Sequence, residues 1–128
     1  MSKVVLDSSA LLALIKNETG GDVIENLLGN IVMSSVNVSE VASILLDSSM
    51  SLEECKDVIE PFIDSIISFD TELAFIAASL KKLTNHKGLS LGDRACIGLG
   101  VFLELPVYTA DKFWVDLDIP NLKINLIR

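Results

Sequence analysis

Short apolar runs that read as strands alternate with segments of helical period along the whole chain, and this alternation restricts the fold more than any other feature. Strands are expected at Val4–Leu6, Ile31–Met33, Ile66–Phe69, Pro106–Tyr108 and Lys123–Ile127. Helices are expected over Ala10–Ile15, around Val23–Leu28, from Asn37 past Leu45, from Ser51 to Ile59, over Thr71–Leu83, and from Ser90 to about Leu103. Gly20, Gly21 and Gly29 break the early pattern, Pro61 ends or bends the fourth helix, and Asn85–Gly88 reads as a loop. Strands separated by helices need crossover connections. The expected fold class is therefore α/β, a three-layer α/β/α arrangement around a central, mostly parallel sheet. At 128 residues the chain is expected to be one domain over 1–128, without linker, repeat or low-complexity stretch.

In open sheets of this kind, ligands bind beyond the carboxyl ends of the strands. Asp7, Asp70 and Asp111 follow expected strands, while Glu40 and Asp93 fall in the first turns of expected helices. Each has an ordinary structural use. Asp7 and Asp111 are good helix caps, and Asn37-x-x-Glu40 and Ser90-x-x-Asp93 resemble capping boxes. Taken together they mean more, because carboxylates that converge on one sheet edge repel one another unless a cation lies between them. A hard divalent ion with oxygen ligands, magnesium or manganese, answers that need, and such a site suits metal-assisted hydrolysis of phosphodiesters. On this ground alone nuclease, phosphatase and phospho-signalling domain all remain open.

Composition narrows the surroundings. The net charge of -8 is the wrong sign for a general nucleic-acid binder, although a carboxylate metal site accounts for part of it. Cys55 and Cys96 form neither a disulfide framework nor a C-x-x-C motif, and are read as reduced, part-buried thiols. No apolar run approaches the ~18 residues that cross a bilayer. Asp7 interrupts the N-terminal apolar run, with no cleavage site after it. The expectation is a cytoplasmic chain with no membrane partner.

Four segments then stand in order: VVLDSSALLALI, VNVSEVASIL, GLSLGDRACIGLG and PVYTADKFW. Through them the chain resembles the PIN-domain family over essentially its whole length, and within it the toxin ribonucleases of VapBC-type toxin–antitoxin modules. SLGDRAC and TAD are the most specific parts. The resemblance implies a PIN-like fold and a magnesium- or manganese-dependent endoribonuclease that leaves a 5′-phosphate and a 3′-hydroxyl. It places the acidic quartet, as both catalytic and metal-holding residues, on Asp7, Glu40, Asp93 and Asp111. It also implies an RNA substrate, a cognate antitoxin and a homodimer.

Other residues are weighed beside the quartet. Thr109 and Ser8 are placed to hydrogen-bond carboxylates or simply to cap, and Asp116 either assists the site or is a solvated helix residue. Arg94 faces phosphate or solvent. Lys81, Lys82 and Lys87 form a basic lip or a solvated face. His86 is read as a surface loop residue. Gly98 and Gly100 are expected to allow close helix packing, and Phe113 and Trp114 to cover the core beside the TAD turn. The mean hydropathy of +0.51 fits either a large core or a surface used for association. Three rivals are carried. A receiver-type phospho-signalling domain would use Asp70 as acceptor, yet Asp7 is followed by Ser8 and Ser9 where paired acids are wanted. A haloacid-dehalogenase-like phosphatase would need D-x-D at Asp7, where Ser9 stands. A PIN-like scaffold without catalysis would account for the acidic charge.

Overall fold

The computed structural model describes residues 2–84 and 88–128, so His86, Lys87 and most of the expected Asn85–Gly88 loop lie outside the described residues. The elements run β1 (Val4–Leu6), α1 (Ser8–Ile15), α2 (Gly21–Glu25), β2 (Ile31–Ser34), α3 (Ser35–Asp47), α4 (Leu52–Ile59), β3 (Ser65–Ile67), α5 (Thr71–Thr84), α6 (Leu91–Leu103), β4 (Val107–Thr109) and β5 (Ile124–Leu126). Short 3₁₀ turns occupy Glu60–Phe62, where Pro61 ends α4, and Lys112–Trp114. The strands form one five-stranded sheet in the order β3-β2-β1-β4-β5, with every pairing parallel.

Period-two alternation within the strands separates two cores. Val4, Leu6, Ile31 and Met33 pack with Leu11 and Leu12 of α1, Ile24 of α2, Val41 of α3 and Ile59 of α4. Val5, Val32 and Val107 face the other way, onto Leu73 and Leu80 of α5, Ile97 and Leu99 of α6, and Trp114. The three central strands are thus covered on both faces, which is why they read as continuous apolar runs. This is the expected three-layer α/β/α arrangement.

Boundaries differ where caps decide them. The helix expected from Asn37 starts at Ser35, because the Ser34 side chain accepts from the Val36 amide and becomes its N-cap. Strand β3 stops at Ile67, two residues before the expected end, and Asp70 caps α5 by accepting from the Leu73 amide. Cys55 and Cys96 are both buried and free. Among the described residues, no helix is long and apolar enough to cross a membrane.

Gly98 and Gly100 face different neighbours. A Cβ on Gly98 would stand 3.3 Å from Ile76 Cγ2 of α5, whereas one on Gly100 would stand 2.5 Å from Val107 Cγ2 and 3.2 Å from the Leu105 carbonyl. The close packing expected of this pair is therefore concentrated at Gly100, where α6 meets the sheet. Gly100→Ala should cost about 1–3 kcal/mol through overpacking. Gly98→Ala should stay within about 1 kcal/mol of the parent, since the gain in helix propensity offsets a mild contact. Urea denaturation of the two variants checks the difference.

Candidate active site

The sheet order sets where a site can form. From β1 the chain builds outward through β2 to β3, then crosses to β4 and β5 on the other side. The switch therefore lies between β1 and β4, and such crevices at the carboxyl ends of the strands are where open α/β sheets bind ligands. Asp7 follows β1 and Asp111 follows β4, so the topology alone brings these two acids together.

Asp7 is the anchor. It is 5% exposed and N-caps α1 by accepting from the Ala10 amide at 2.9 Å. Thr109, at the end of β4, donates its hydroxyl to Asp7 Oδ2 at 2.6 Å, and Ser9 Oγ stands 2.8 and 2.9 Å from the two carboxylate oxygens. Ser9 Oγ also accepts from the Ala110 amide at 3.0 Å, and Thr109 Oγ1 from the Asp111 amide at 3.0 Å. One buried carboxylate thus ties β1, α1 and the turn after β4. Thr109 and Ser8 were both expected as local partners. Ser9 was not singled out, and its only sequence signal is its place in the cap.

Glu40 arrives from α3. It was expected in the first helical turn, paired with Asn37 in a capping box, but with Ser34 as N-cap it lies in the second turn. Asn37, 1% exposed, instead donates Nδ2 to Glu40 Oε1 at 2.9 Å and to the Gly92 carbonyl of α6 at 3.0 Å. Ser8 donates to the same Oε1 at 2.8 Å. A Cβ built on Gly92 would overlap Glu40 Oε2, so the glycine of SLGD leaves the room that the glutamate fills. Asp93 forms the expected capping box with Ser90, its Oδ2 accepting from the Ser90 amide at 3.0 Å. Asp111 caps the 3₁₀ turn through Oδ1, which accepts from the Phe113 amide at 2.9 Å.

All four acids of the expected set therefore stand on one rim, and each cap reading is also correct for Asp7, Asp93 and Asp111. Capping and clustering coexist because Glu40, Asp93 and Asp111 each use one carboxylate oxygen for bonds within the protein. The second oxygen of each has no hydrogen bond among the described residues. The charges also act on one another. Burial, aided by the nearby Asp93, pushes the Asp7 carboxyl from 3.8 up to about 6, against the hydrogen bonds from Thr109, Ala10 and Ser9. Asp93 is raised by burial and by the charges of Asp111 and Glu40. Beneath the rim, the Cys96 thiol is raised well above its ordinary range by burial, then by Asp7, Asp93 and Glu40.

This donor set fits a hard divalent cation: carboxylate oxygens only, mutually repelling, with oxygens left over. Among the described residues, no three His, Cys, Asp or Glu side chains stand close enough together to hold a metal ion as they are placed, so the fit is one of donor chemistry. Other expected residues lie elsewhere. Arg94 is half-buried rather than freely exposed: its Nη1 donates to the Ala77 carbonyl of α5 at 3.2 Å, and its Nε is buried. Asp116 is exposed past the 3₁₀ turn, as are Lys81 and Lys82 on α5. Trp114 is fully buried as expected, whereas Phe113 does not cover the core and is 71% exposed. Asp70 caps α5 beside β3, at the sheet's edge. The sheet order is not the 2-1-3-4-5 of flavodoxin-like receiver domains, which sets that rival aside.

Fold and site together define an α/β domain with an acid-lined rim at the switch point of a parallel sheet. The chain belongs to the PIN domain family, which matches residues 4–119. Among solved structures, DNA-bound VapBC from Salmonella typhimurium is similar, with a TM-score of 0.74 at 20% identity over 100% of both chains. VapBC2 from Rickettsia felis, bound to a fragment of its promoter DNA, gives 0.72 at 19% identity over 96% of this chain and 97% of that one. VapBC-5 from Mycobacterium tuberculosis, a toxin–antitoxin family member, gives 0.64 at 18% identity over 98% and 99%. At these identities the likeness is one of fold. No curated protein matches the chain in sequence.

The raised Asp7 value has a consequence for stability. The folded state holds this proton more tightly than the unfolded chain, so the protonated form contributes stability that is complete below about pH 4 and lost as pH rises through about 6. The loss is on the order of 3 kcal/mol. In EDTA, Asp7→Asn should therefore gain stability relative to the parent between pH 4 and 7, read by chemical denaturation at several pH values. A constant difference across that range would show that Asp7 does not carry the shift.

Proposed function

We propose that this chain is a divalent-metal-dependent endoribonuclease and the toxin of a toxin–antitoxin module. The observation that carries the reading is the meeting of Asp7 and Asp111 at the β1–β4 switch, with Asp93 near enough to feel the charges of Asp111 and Glu40 and to act on Asp7. Membership of the PIN domain family and the likeness to VapBC assemblies support it.

The chain's own residues divide the work. Asp7 supplies buried negative charge in a fixed position. Glu40, Asp93 and Asp111 offer their second oxygens to magnesium or manganese, or to its waters. Ser8 and Asn37 keep the Glu40 carboxylate facing the rim. When bound, the cation lowers the pKa of water and offsets charge developing on the phosphate. It also removes the repulsion that an acidic rim would otherwise exert on RNA.

The proposed partner is an antitoxin, and the proposed assembly a homodimer. An apolar groove of about 240 Å³ between α3, α4 and β3 is lined by Val38, Ala42, Leu52, Cys55, Ile59 and Ile66. Leu52 and Ile66 are exposed there, which suits an apolar segment of such a partner.

The test uses protein freed of co-purifying partner and structured RNA, in magnesium, manganese or excess EDTA. The parent should cleave only with metal, and Asp93→Asn, which keeps the shape of the cap, should lose about 10²-fold or more. Cleavage that persists in EDTA, or is unaltered in the variant, contradicts the proposal. Gly92→Ala separates site from fold. Glu40 has to swing away from a new Cβ and give up its bonds from Ser8 and the buried Asn37, so activity should fall about as far while stability falls by about 1–3 kcal/mol and the fold is kept. Calorimetric melting of the same samples checks the second half.

A further inference from the structure

The 3₁₀ turn after Asp111 places two large aromatics in opposite environments. Trp114 is fully buried in the core, while Phe113 beside it is 71% exposed. Phe75 on α5 is exposed to the same degree, so exposure alone says little; what sets Phe113 apart is its place beside a site acid. The ring is also close to the chemistry. The Phe113 amide is bonded to Asp111 Oδ1, and the Asp111 amide to Thr109 Oγ1, so turn and acid form one unit. Trp114 anchors that unit, its amide donating to the Asp111 carbonyl at 3.2 Å. Ala110, Asp111, Lys112 and Phe113 line a wide-open hollow of about 390 Å³ on the surface.

We propose that Phe113 is a stacking platform for an unpaired RNA base next to the cleaved phosphate, with the exposed Lys112 meeting the adjoining backbone. The proposal rests on the ribonuclease reading. Charge favours it. At a net charge of -8 the chain cannot hold RNA by bulk attraction, whereas stacking on an aromatic needs no net charge. Paired bases keep their faces inside the helix, so a stacking platform selects unpaired ones. A protein partner on this ring is the competing use, and the test separates the two.

Anisotropy of a labelled single-stranded RNA is measured in magnesium, with Asp93→Asn in every sample to prevent cleavage. Phe113→Ala should weaken binding by about 10- to 100-fold. Phe113→Trp should restore it, and the new exposed indole should be quenched by the RNA while the buried Trp114 of the parent is not. A fully paired duplex should bind weakly and equally to all three. Phe113 is exposed, so the alanine variant should keep the parent's circular dichroism. Equal RNA affinity in parent and Phe113→Ala overturns the proposal, and so does a parent that binds no single strand. Loss of self-association in Phe113→Ala with unchanged RNA affinity assigns the ring to a protein contact and also overturns it. Cleavage is read separately, on the same Phe113 variants with Asp93 restored: metal-dependent cleavage there leaves the nuclease reading intact beside either result, whereas absence of both binding and cleavage removes both.

Discussion

A single buried carboxylate holds the working edge of this protein together. Asp7 accepts from the first turn of α1, from Ser9, and from the Thr109 hydroxyl at the end of β4, and Ser9 and Thr109 in turn fix the turn that carries Asp111. Removal of any one partner would leave a buried polar group unsatisfied, the costly half of hydrogen-bond energetics. The same burial lifts the Asp7 carboxyl to about 6, so the anchor of the fold is also a reservoir of unfavourable charge. A bound cation would offset that cost, which is where the fold and the proposed function would meet in one residue.

Topology supplies the rest. Because the order reverses between β1 and β4, the acids that follow those strands face one crevice, and the helices after β2 and before β4 bring Glu40 and Asp93 to it. Asn37 is the joint between those two helices, its amide bonded at once to Glu40 and to the Gly92 carbonyl beside Asp93. The arrangement tolerates helix caps and a charge cluster together because a carboxylate has two oxygens, and only one is needed for a cap.

Much of this was legible in the residues. The central strands are buried on both faces, so Val4–Leu6 and Ile31–Met33 stand out as apolar runs, and the Ser51 and Ser90 capping boxes mark helix starts without tertiary information. Places after strands and in early helix turns picked out five acids, Asp70 among them, and only the family resemblance narrowed these to Asp7, Glu40, Asp93 and Asp111. What was not legible depends on long-range contacts. Nothing local tells Ser34 from Asn37 as the cap of α3, and Asn37's true partners are three and 55 positions away. Gly92 reads as an ordinary glycine until Glu40 is seen against it. Phe113 and Trp114 are chemically alike neighbours, and only the turn geometry sends one into the core and the other into water. Strand β3, at the sheet's edge and half covered, gives a weak apolar signal, and its end was misplaced accordingly.

Manganese binding by titration calorimetry, in buffers of different ionisation enthalpy, tests the central claim most directly. A coupled carboxylate site predicts saturable binding at pH 7.5. Near pH 6, where Asp7 is partly protonated, binding should displace protons, and this release should shrink toward pH 8. Glu40→Gln should weaken the binding. The absence of saturable binding at pH 7.5, or binding that ignores both pH and Glu40, would contradict a cation site on this rim and leave Asp7, Asp93 and Asp111 as helix caps alone.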